Sequence, residues 1–270
     1  MTGRRPRSGH RGAAPAALVP LAGVATAFVA LPFIGLLQRA PWSDLTSRLE
    51  SSVVADALRL SLLTALAATA LSLLFGVPLA WVLARSSFPG RSLLRALVTL
   101  PMVLPPVVGG AALLFTLGRR GLVGQYLDSL LGVRVTFTTA AVVLANTFVA
   151  MPFLVVTVEG ALRGADRRFE EAATTLGAGR WTVFRRVTLP LIAPSIGAGA
   201  VLCWARALGE FGATVTFAGS LQGRTQTIPL AVYQALERDR GAAIVLSLVL
   251  VAVSLAVLVL LRDRWFRVPT

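Results

Sequence analysis

Apolar residues in this chain fall into six long runs: Ala16 to Leu37, Ala57 to Ala84, Leu93 to Leu117, Phe137 to Val158, Leu191 to Phe217 and Ala242 to Leu261. A helix needs about 20 predominantly apolar residues to cross a hydrocarbon core of roughly 30 Å, so each run is long enough to span. Inside a bilayer a free backbone amide has no water to bond, and a helix satisfies every such group within one segment. The pattern therefore predicts an all-α membrane protein with six transmembrane helices. The first run also invites a signal-peptide reading, but it is long for that role, and LLQRAPW does not end in a small-x-small cleavage site, so it is read as a retained span.

Two places break the apolar pattern. In LPMVLPPVVGG (Leu100 to Gly110), Pro101, Pro105 and Pro106 preclude a regular helix, and Gly109-Gly110 allows close backbone approach. This element is either a kinked, tightly packed span or a flexible piece beside a pathway. The second break is the polar, arginine-rich stretch Glu170 to Pro190, EEAATTLGAGRWTVFRRVTLP. Asp166 is placed to cap a helix over Arg167 to Leu176, and Gly177 and Gly179 permit the reversal that ends it. A second short helix over Arg180 to Val187 puts Trp181, Phe184 and Val187 near one face, and Leu189-Pro190 returns the chain to the bilayer. Such a helix pair is an interfacial anchor or a knob presented to a partner.

Composition narrows the class. The chain has 270 residues, 56% of them hydrophobic and 14% charged, with a mean hydropathy of +0.76, which excludes an ordinary soluble domain. All 26 basic residues are arginine, and the net charge is +14. No arginine cluster is interleaved with aromatics on a soluble element, so the charge reads as topological and no nucleic-acid partner is expected. A phosphate-binding P-loop needs a lysine to reach the nucleotide, and this chain has none. If ATP drives its work, the ATPase is another polypeptide. The single cysteine, Cys203, lies in an apolar run and the single histidine, His10, lies in the basic tail. Neither a disulfide framework nor a histidine-based catalytic or metal site is expected.

Arginine also sets the expected orientation, because cytoplasmic loops retain positive charge. With the N-terminus inside, the inner segments hold 16 arginines (4, 5, 7, 11, 85, 91, 95, 163, 167, 168, 180, 185, 186, 262, 264 and 267) and the outer ones hold 9 (39, 48, 59, 119, 120, 134, 224, 238 and 240). Both termini and the Glu170 to Pro190 stretch are therefore expected in the cytoplasm. The divisions that follow are a basic tail over 1–15, a first span and outer loop over 16–56, a core over 57–262 with its polar loop at about 163–190, and a second tail over 263–270.

Charges within spans are functional candidates by default. Arg206 and Glu210 are four residues apart in the fifth run, hence neighbours on one helix face, where pairing lowers the cost of burying charge. They either serve a pathway or stitch helices together. Glu159, at the inner end of the fourth run, reads as a snorkelling or capping residue. The outer connection Ser220 to Gly241, with Pro229, Tyr233 and the Glu237 to Arg240 cluster, is long for a simple link.

Glu171-Ala172-Ala173, three residues, Gly177, nine residues, then Val187-Thr188-Leu189-Pro190 resembles the EAA loop of binding-protein-dependent ABC importer permeases, with valine where isoleucine is commoner. The resemblance extends over about Ala57 to Leu261 and implies a type I ABC importer permease fold. In that family the loop forms coupling helices that enter a cleft on the ATPase subunit. It thereby assigns ATPase coupling to Glu170, Glu171, Ala172, Ala173, Gly177, Val187, Leu189 and Pro190, with no catalytic role for any of them. ARALGEFGATVTFAG is similar to the corresponding region of permeases for tetrahedral oxyanions, and GRTQTIPLAVY (Gly223 to Tyr233) looks closest to molybdate permeases. Arg206, Glu210, Phe211 and Gly212 are the resulting candidates for the translocation path. The resemblance further implies a homodimer in the cell membrane, two ABC ATPase subunits holding ATP and Mg2+, and an extracytoplasmic oxyanion-binding protein, with no cofactor on this chain. Molybdate, tungstate and sulfate stay open at this point. A secondary transporter would show internal repeats or intramembrane ion sites. A membrane enzyme would need convergent acids, yet Asp44, Glu50, Asp56 and Asp128 are scattered over outer loops.

Overall fold

The structure is a computed structural model that describes residues 18–265, with side chains to residue 259. The two expected tails, with His10, Arg4, Arg5, Arg7, Arg11 and Arg267, lie wholly or largely outside the described residues. Described in chain order, α1 (Leu18–Gln38) leads through a short 3-10 turn and α2 (Leu45–Leu49) into α3 (Ser52–Arg85). Next come α4 (Arg91–Val103), α5 (Pro106–Leu117), α6 (Gly124–Leu131) and α7 (Thr139–Gly164). The polar stretch contributes α8 (Arg168–Thr175), α9 (Arg180–Val183) and a π-helical turn (Phe184–Thr188). The chain finishes with α10 (Leu189–Leu208), α11 (Gly212–Ala218), α12 (Ile228–Arg238) and α13 (Arg240–Trp265).

Among the described residues, five helical stretches are long and apolar enough to cross a membrane: α1, α3, α7, the run Arg180–Leu208 and α13. The expected third span is a broken pair instead. α4 and α5 are bent by 118° at Leu104-Pro105 and make a sixth span only when counted together. The cause is local: Leu104 is extended, as a residue before proline prefers, and Pro106 is already at the first turn of the next helix, where its missing N–H costs nothing. One other expectation needs correction. The fifth run does not continue to Phe217, because α10 ends at Leu208 and α11 begins afresh at Gly212. The outer connection Ser220 to Gly241 is largely helical, since α12 starts at Ile228-Pro229 with proline in its first turn.

The core is the contact of α3, α7 and α10. Ala65, Ala68 and Ala80 of α3, Ala150, Leu154 and Val158 of α7, and Cys203 and Ala207 of α10 are buried together. Small side chains let backbones approach, which is how helices associate where no hydrophobic drive separates protein from lipid. A second cluster joins α7 to α11 through Val142, Ala145, Ala213 and Phe217, and a third joins the start of α3 to α12 and α13 through Ala57, Ile228 and Leu246. α3 has 34 residues and so separates two ends of the molecule by about 50 Å. One end carries the starts of α3 and α7 and the whole of α12. The other carries the ends of α3 and α7, the start of α4, and α8.

Candidate functional site

The polar stretch forms a projecting turn beyond the end of α7. The Asp166 carboxylate accepts from the Arg168 amide at 3.0 Å and so caps α8 as expected. At the other end, the Ala178 amide donates to the Ala173 carbonyl and the Gly177 amide to the Thr174 carbonyl, the two bonds of a Schellman stop. Gly177 is left-handed there, with φ +85°, and open space surrounds the position of a side chain, so conformation alone calls for glycine. Gly179 is extended rather than left-handed, so the reversal rests on Gly177.

The second short helix is not a separate element. α9 passes through the π turn directly into α10, and Arg180–Leu208 is one 29-residue rod. Nor is Trp181, Phe184 and Val187 the packed face: Val183 is the buried side chain of α9, while Trp181 is 70% exposed. Phe184 bridges the two, stacking on Trp181 at 5.4 Å and meeting Trp81 of α3 edge-on at 5.0 Å. Leu176 at the tip is 88% exposed, and Phe169, Glu171, Ala172 and Pro190 are also exposed, whereas Ala173, Val187 and Leu189 are half-buried.

The two adjacent glutamates part company. Glu171 faces a shallow depression with Arg167, Thr174 and Thr175. Glu170 turns inward, where its Oε1 accepts from Arg85 Nη2 and from the Thr188 hydroxyl, both at 2.9 Å. It thereby ties α8 to the end of α3 and to the fully buried Thr188 of the π turn. Glu159 neither snorkels nor caps. Its carboxylate is buried and shared between Arg95 Nη2 of α4 at 2.6 Å and Arg163 Nη2 of α7 at 2.8 Å. Arg91 Nε donates to the Leu83 carbonyl at 2.8 Å, satisfying one of the free acceptors in the last turn of α3. Arg163 is four residues from Glu159, but Arg95–Glu159 and Arg85–Glu170 are 64 and 85 residues apart, and nothing local in the chain announces them.

At the far end of α10 lies the second constellation. Arg206 is in the last turn and Glu210 in the link to α11, yet they still meet, Nη1 to Oε2, at 2.6 Å. Glu210 is almost wholly buried, and its Oε1 accepts from the Ala213 amide at 2.8 Å. That carboxylate thus serves as the N-terminal cap of α11, where the helix dipole also favours negative charge. Arg206 is the partly exposed member at 27%. Phe211 packs on Tyr233 of α12 with ring centres 5.1 Å apart.

The two sequence breaks meet here. A Cβ at Gly110 would lie 2.7 Å from the Ala213 carbonyl oxygen and 2.8 Å from its Cα, and one at Gly212 would lie 2.9 Å from Pro106 Cβ. The glycines of LPMVLPPVVGG and of GEFGATVTFAG therefore allow α5 and α11 to pack backbone against backbone. Asn146, buried on α7, links to Thr214 of α11 and Thr64 of α3 at 3.4 and 3.5 Å.

The end opposite the polar loop is joined differently. The buried Ser61 hydroxyl of α3 accepts from the Ile228 amide at 2.8 Å and so caps α12. Arg48 Nη1 reaches Asp239 Oδ2 at 2.7 Å across the mouth of a cavity of about 680 Å³ lined by Ser47, Ser220, Gln222, Gln234 and Arg238. The hydrogen bond from Arg48 holds Asp239 below the usual carboxylate range, and bonds from Arg134 and Arg119 do the same for Asp128. Among the described residues no three His, Cys, Asp or Glu side chains converge as a metal site would require.

The protein-family comparison matches residues 72–268 to the binding-protein-dependent transport system inner membrane component. The chain is 50% identical over 237 residues to the molybdenum transport system permease protein ModB of Mycobacterium tuberculosis, covering 88% of this chain and 89% of that one. It is 37% identical over 232 residues to a probable sulfate transport system permease protein of Chlorokybus atmophyticus, covering 84% and 81%. Among solved structures, a bacterial ABC transporter involved in the import of the acidic polysaccharide alginate superposes with a TM-score of 0.72 at 21% identity, covering 94% and 95%. On the family match and the identity to its relatives, this chain belongs to the inner membrane permease components of binding-protein-dependent transport systems.

Proposed function

We propose that this chain is the transmembrane subunit of an ATP-driven importer for a tetrahedral oxyanion, molybdate. The observation that carries the substrate class is the 50% identity over nearly nine tenths of both chains to a molybdenum permease, against 37% to a probable sulfate permease. The chain works as a homodimer with the path at its interface, two ATPase subunits against the exposed side of Gly177, Glu171 and Leu176, and an oxyanion-binding protein at the Ser220 to Gly241 end. Both termini face the cytoplasm, which puts the polar loop on the side where ATP is available and is supported by the arginine count. ATP and Mg2+ belong to the partner ATPase, and this chain catalyses no covalent step.

The mechanism is alternating access. Closure of two ATPases moves α8 and the Schellman turn together, and the Glu170 bonds to Arg85 and Thr188 carry that motion into α3 and α10. Arg206 offers the partly exposed positive charge toward a dianion, and Glu210 offsets part of its field so that the anion is passed on rather than trapped. Proteoliposomes holding the permease, its ATPase and the binding protein test this: molybdate uptake should require ATP, persist without an ion gradient, and be competed by tungstate more strongly than by sulfate. Uptake driven by a gradient alone would make the chain a secondary transporter. Stronger competition by sulfate would make sulfate the cargo. Arg206→Gln, which keeps an N–H donor beside the buried Glu210 carboxylate, should abolish uptake while the assembly remains intact, and normal uptake in that variant removes Arg206 from the path.

A further inference from the structure

We propose that the depression between the end of α3, the α3–α4 loop and the end of α7 is a binding site for a phosphate-type tetrahedral anion, distinct from the transport path. Its lining includes Arg85, Ser86, Ser87, Arg91, Arg163 and Arg167, and no carboxylate is among the lining residues. The carboxylates nearby stand behind the lining and hold it in place: Glu170 takes Arg85, and Glu159 takes Arg163 together with Arg95. Of the four guanidinium groups in the lining, Arg85 and Arg163 are paired with these carboxylates, which leaves Arg91 and Arg167. Among the described residues neither Arg91 nor Arg167 has a carboxylate partner.

Three features go beyond an ordinary basic loop. Arg85 is nine-tenths buried, and its Nε–H has no acceptor. Arg48 Nε is in the same position among the described residues, and what distinguishes Arg85 is that it lines the depression beside Arg91 and Arg167. Arg91 and Arg163 are already fixed, by the Leu83 carbonyl and by Glu159, so an arriving anion does not have to order them. Finally, α4 starts beside the depression at Gly90–Arg91 with no side-chain cap. The depression measures about 480 Å³, room for a phosphate with its attached glycerol or for a hydrated free ion. Arg206, at the other end of the 20-residue α10, is roughly 30 Å away and does not take part.

The phosphate has two sources, an anionic lipid headgroup or a free inorganic anion, and one experiment on the permease assembled with its ATPase separates them. In the first arm, complexes equilibrated with mixed phosphatidylglycerol and phosphatidylcholine are assayed by native mass spectrometry for retained lipid. In the second, thermal unfolding is followed with inorganic phosphate against chloride at equal ionic strength. Arg91→Gln with Arg167→Gln should weaken whichever ligand binds by roughly tenfold or more, and Arg119→Gln with Arg120→Gln at the far end should change nothing. Should the double variant assemble poorly, Arg167→Gln alone, in an exposed position, gives the same direction with about half the effect in log units. Phosphatidylglycerol retention that the variant loses identifies the lipid, and phosphate stabilisation that it loses identifies the free anion. If the variant matches the unaltered protein in both arms, or the far-end control loses as much, the proposal is overturned. Neither readout depends on which anion is transported.

Discussion

The two ends of α3 are both crossed by arginine–carboxylate pairs, but the pairs are different objects. At the end near Ser52 the charges reach water, with Asp239 51% exposed and Arg119 and Arg134 more than 60%, although the Asp128 carboxylate they share is 20% exposed. At the Arg85 end Glu159 is buried, at 8% exposure, and Glu170 is half-buried, at 17%, against an Arg85 that is nine-tenths buried. Exposed pairs are screened by salt and contribute little, whereas removing one member of a buried pair strands the other in a poor medium. The first end is therefore held by helix caps such as Ser61 on Ile228 and is free to rearrange its charges. The second is cross-linked, and that is the end that carries the polar loop.

This contrast can be broken or sharpened by substitution, and the largest effect is expected outside the ion pairs. Gly110→Val drives a side chain into the Ala213 backbone, which cannot yield as a side-chain tip would. The contact of α5 with α11 should be lost at about 2–3 kcal/mol or more, read as a fall in the thermal midpoint in detergent together with loss of uptake. Next is Glu170→Ala, which leaves the nine-tenths-buried Arg85 without its acceptor and should cost roughly 2–3 kcal/mol. Its neighbour supplies the comparison, because Glu171→Ala should leave the midpoint within about 0.5 kcal/mol and instead weaken retention of the ATPase in copurification. Equal midpoints for the two variants would show that Glu170 is not a cross-link. Glu159→Gln follows at about 1–2 kcal/mol, less than for a fully buried pair because Arg95 and Arg163 can turn to water.

The smallest effect belongs to the opposite end. Asp239 titrates below its ordinary value because Arg48 donates to it, so its contribution is fully present above the unfolded value of about 3.9 and is lost as the pH falls through that value and then through the lower folded one. The thermal midpoint should therefore show no dependence on Arg48→Gln across neutral pH beyond a small constant offset. The offset should vanish in strong acid and shrink with added salt. A large, salt-insensitive loss in Arg48→Gln would erase the distinction between the two ends.

Much of this architecture was legible in the chain because it rests on local rules. Runs of 20 apolar residues gave the spans, and Pro105-Pro106 marked the break between α4 and α5, whereas Pro101, expected to preclude a regular helix, is accommodated inside α4. Asp166 and Gly177 marked the two ends of α8. The break after Leu208 went unseen since ALGEFG contains no proline, and its cause is tertiary: Glu210 leaves the helix to cap α11 while α5 packs against Gly212. α12 did carry a signal, Thr227 followed by Ile228-Pro229, which is a helix start by its own chemistry. The pairings Arg85–Glu170 and Arg95–Glu159 were beyond reach, because either glutamate could have met any of several nearby arginines and only the packing of α3, α4 and α7 selects one.

The π turn has a mechanical consequence. Because Phe184–Thr188 does not interrupt the helix, Trp181 on the surface and Arg206 near the opposite face are fixed to the same shaft, about 40 Å long. Tilted by roughly 5° about Thr188, the arm of about 27 Å that ends at Arg206 displaces its tip by about 2 Å. The wider helical turn also sits where Pro190 withholds an amide, so Thr188 and Glu170 form the fulcrum. On the mechanism proposed above this makes the helix a lever, with a short arm at Trp181 and a long arm ending at Arg206, so that small strokes at the short arm are amplified at the long one.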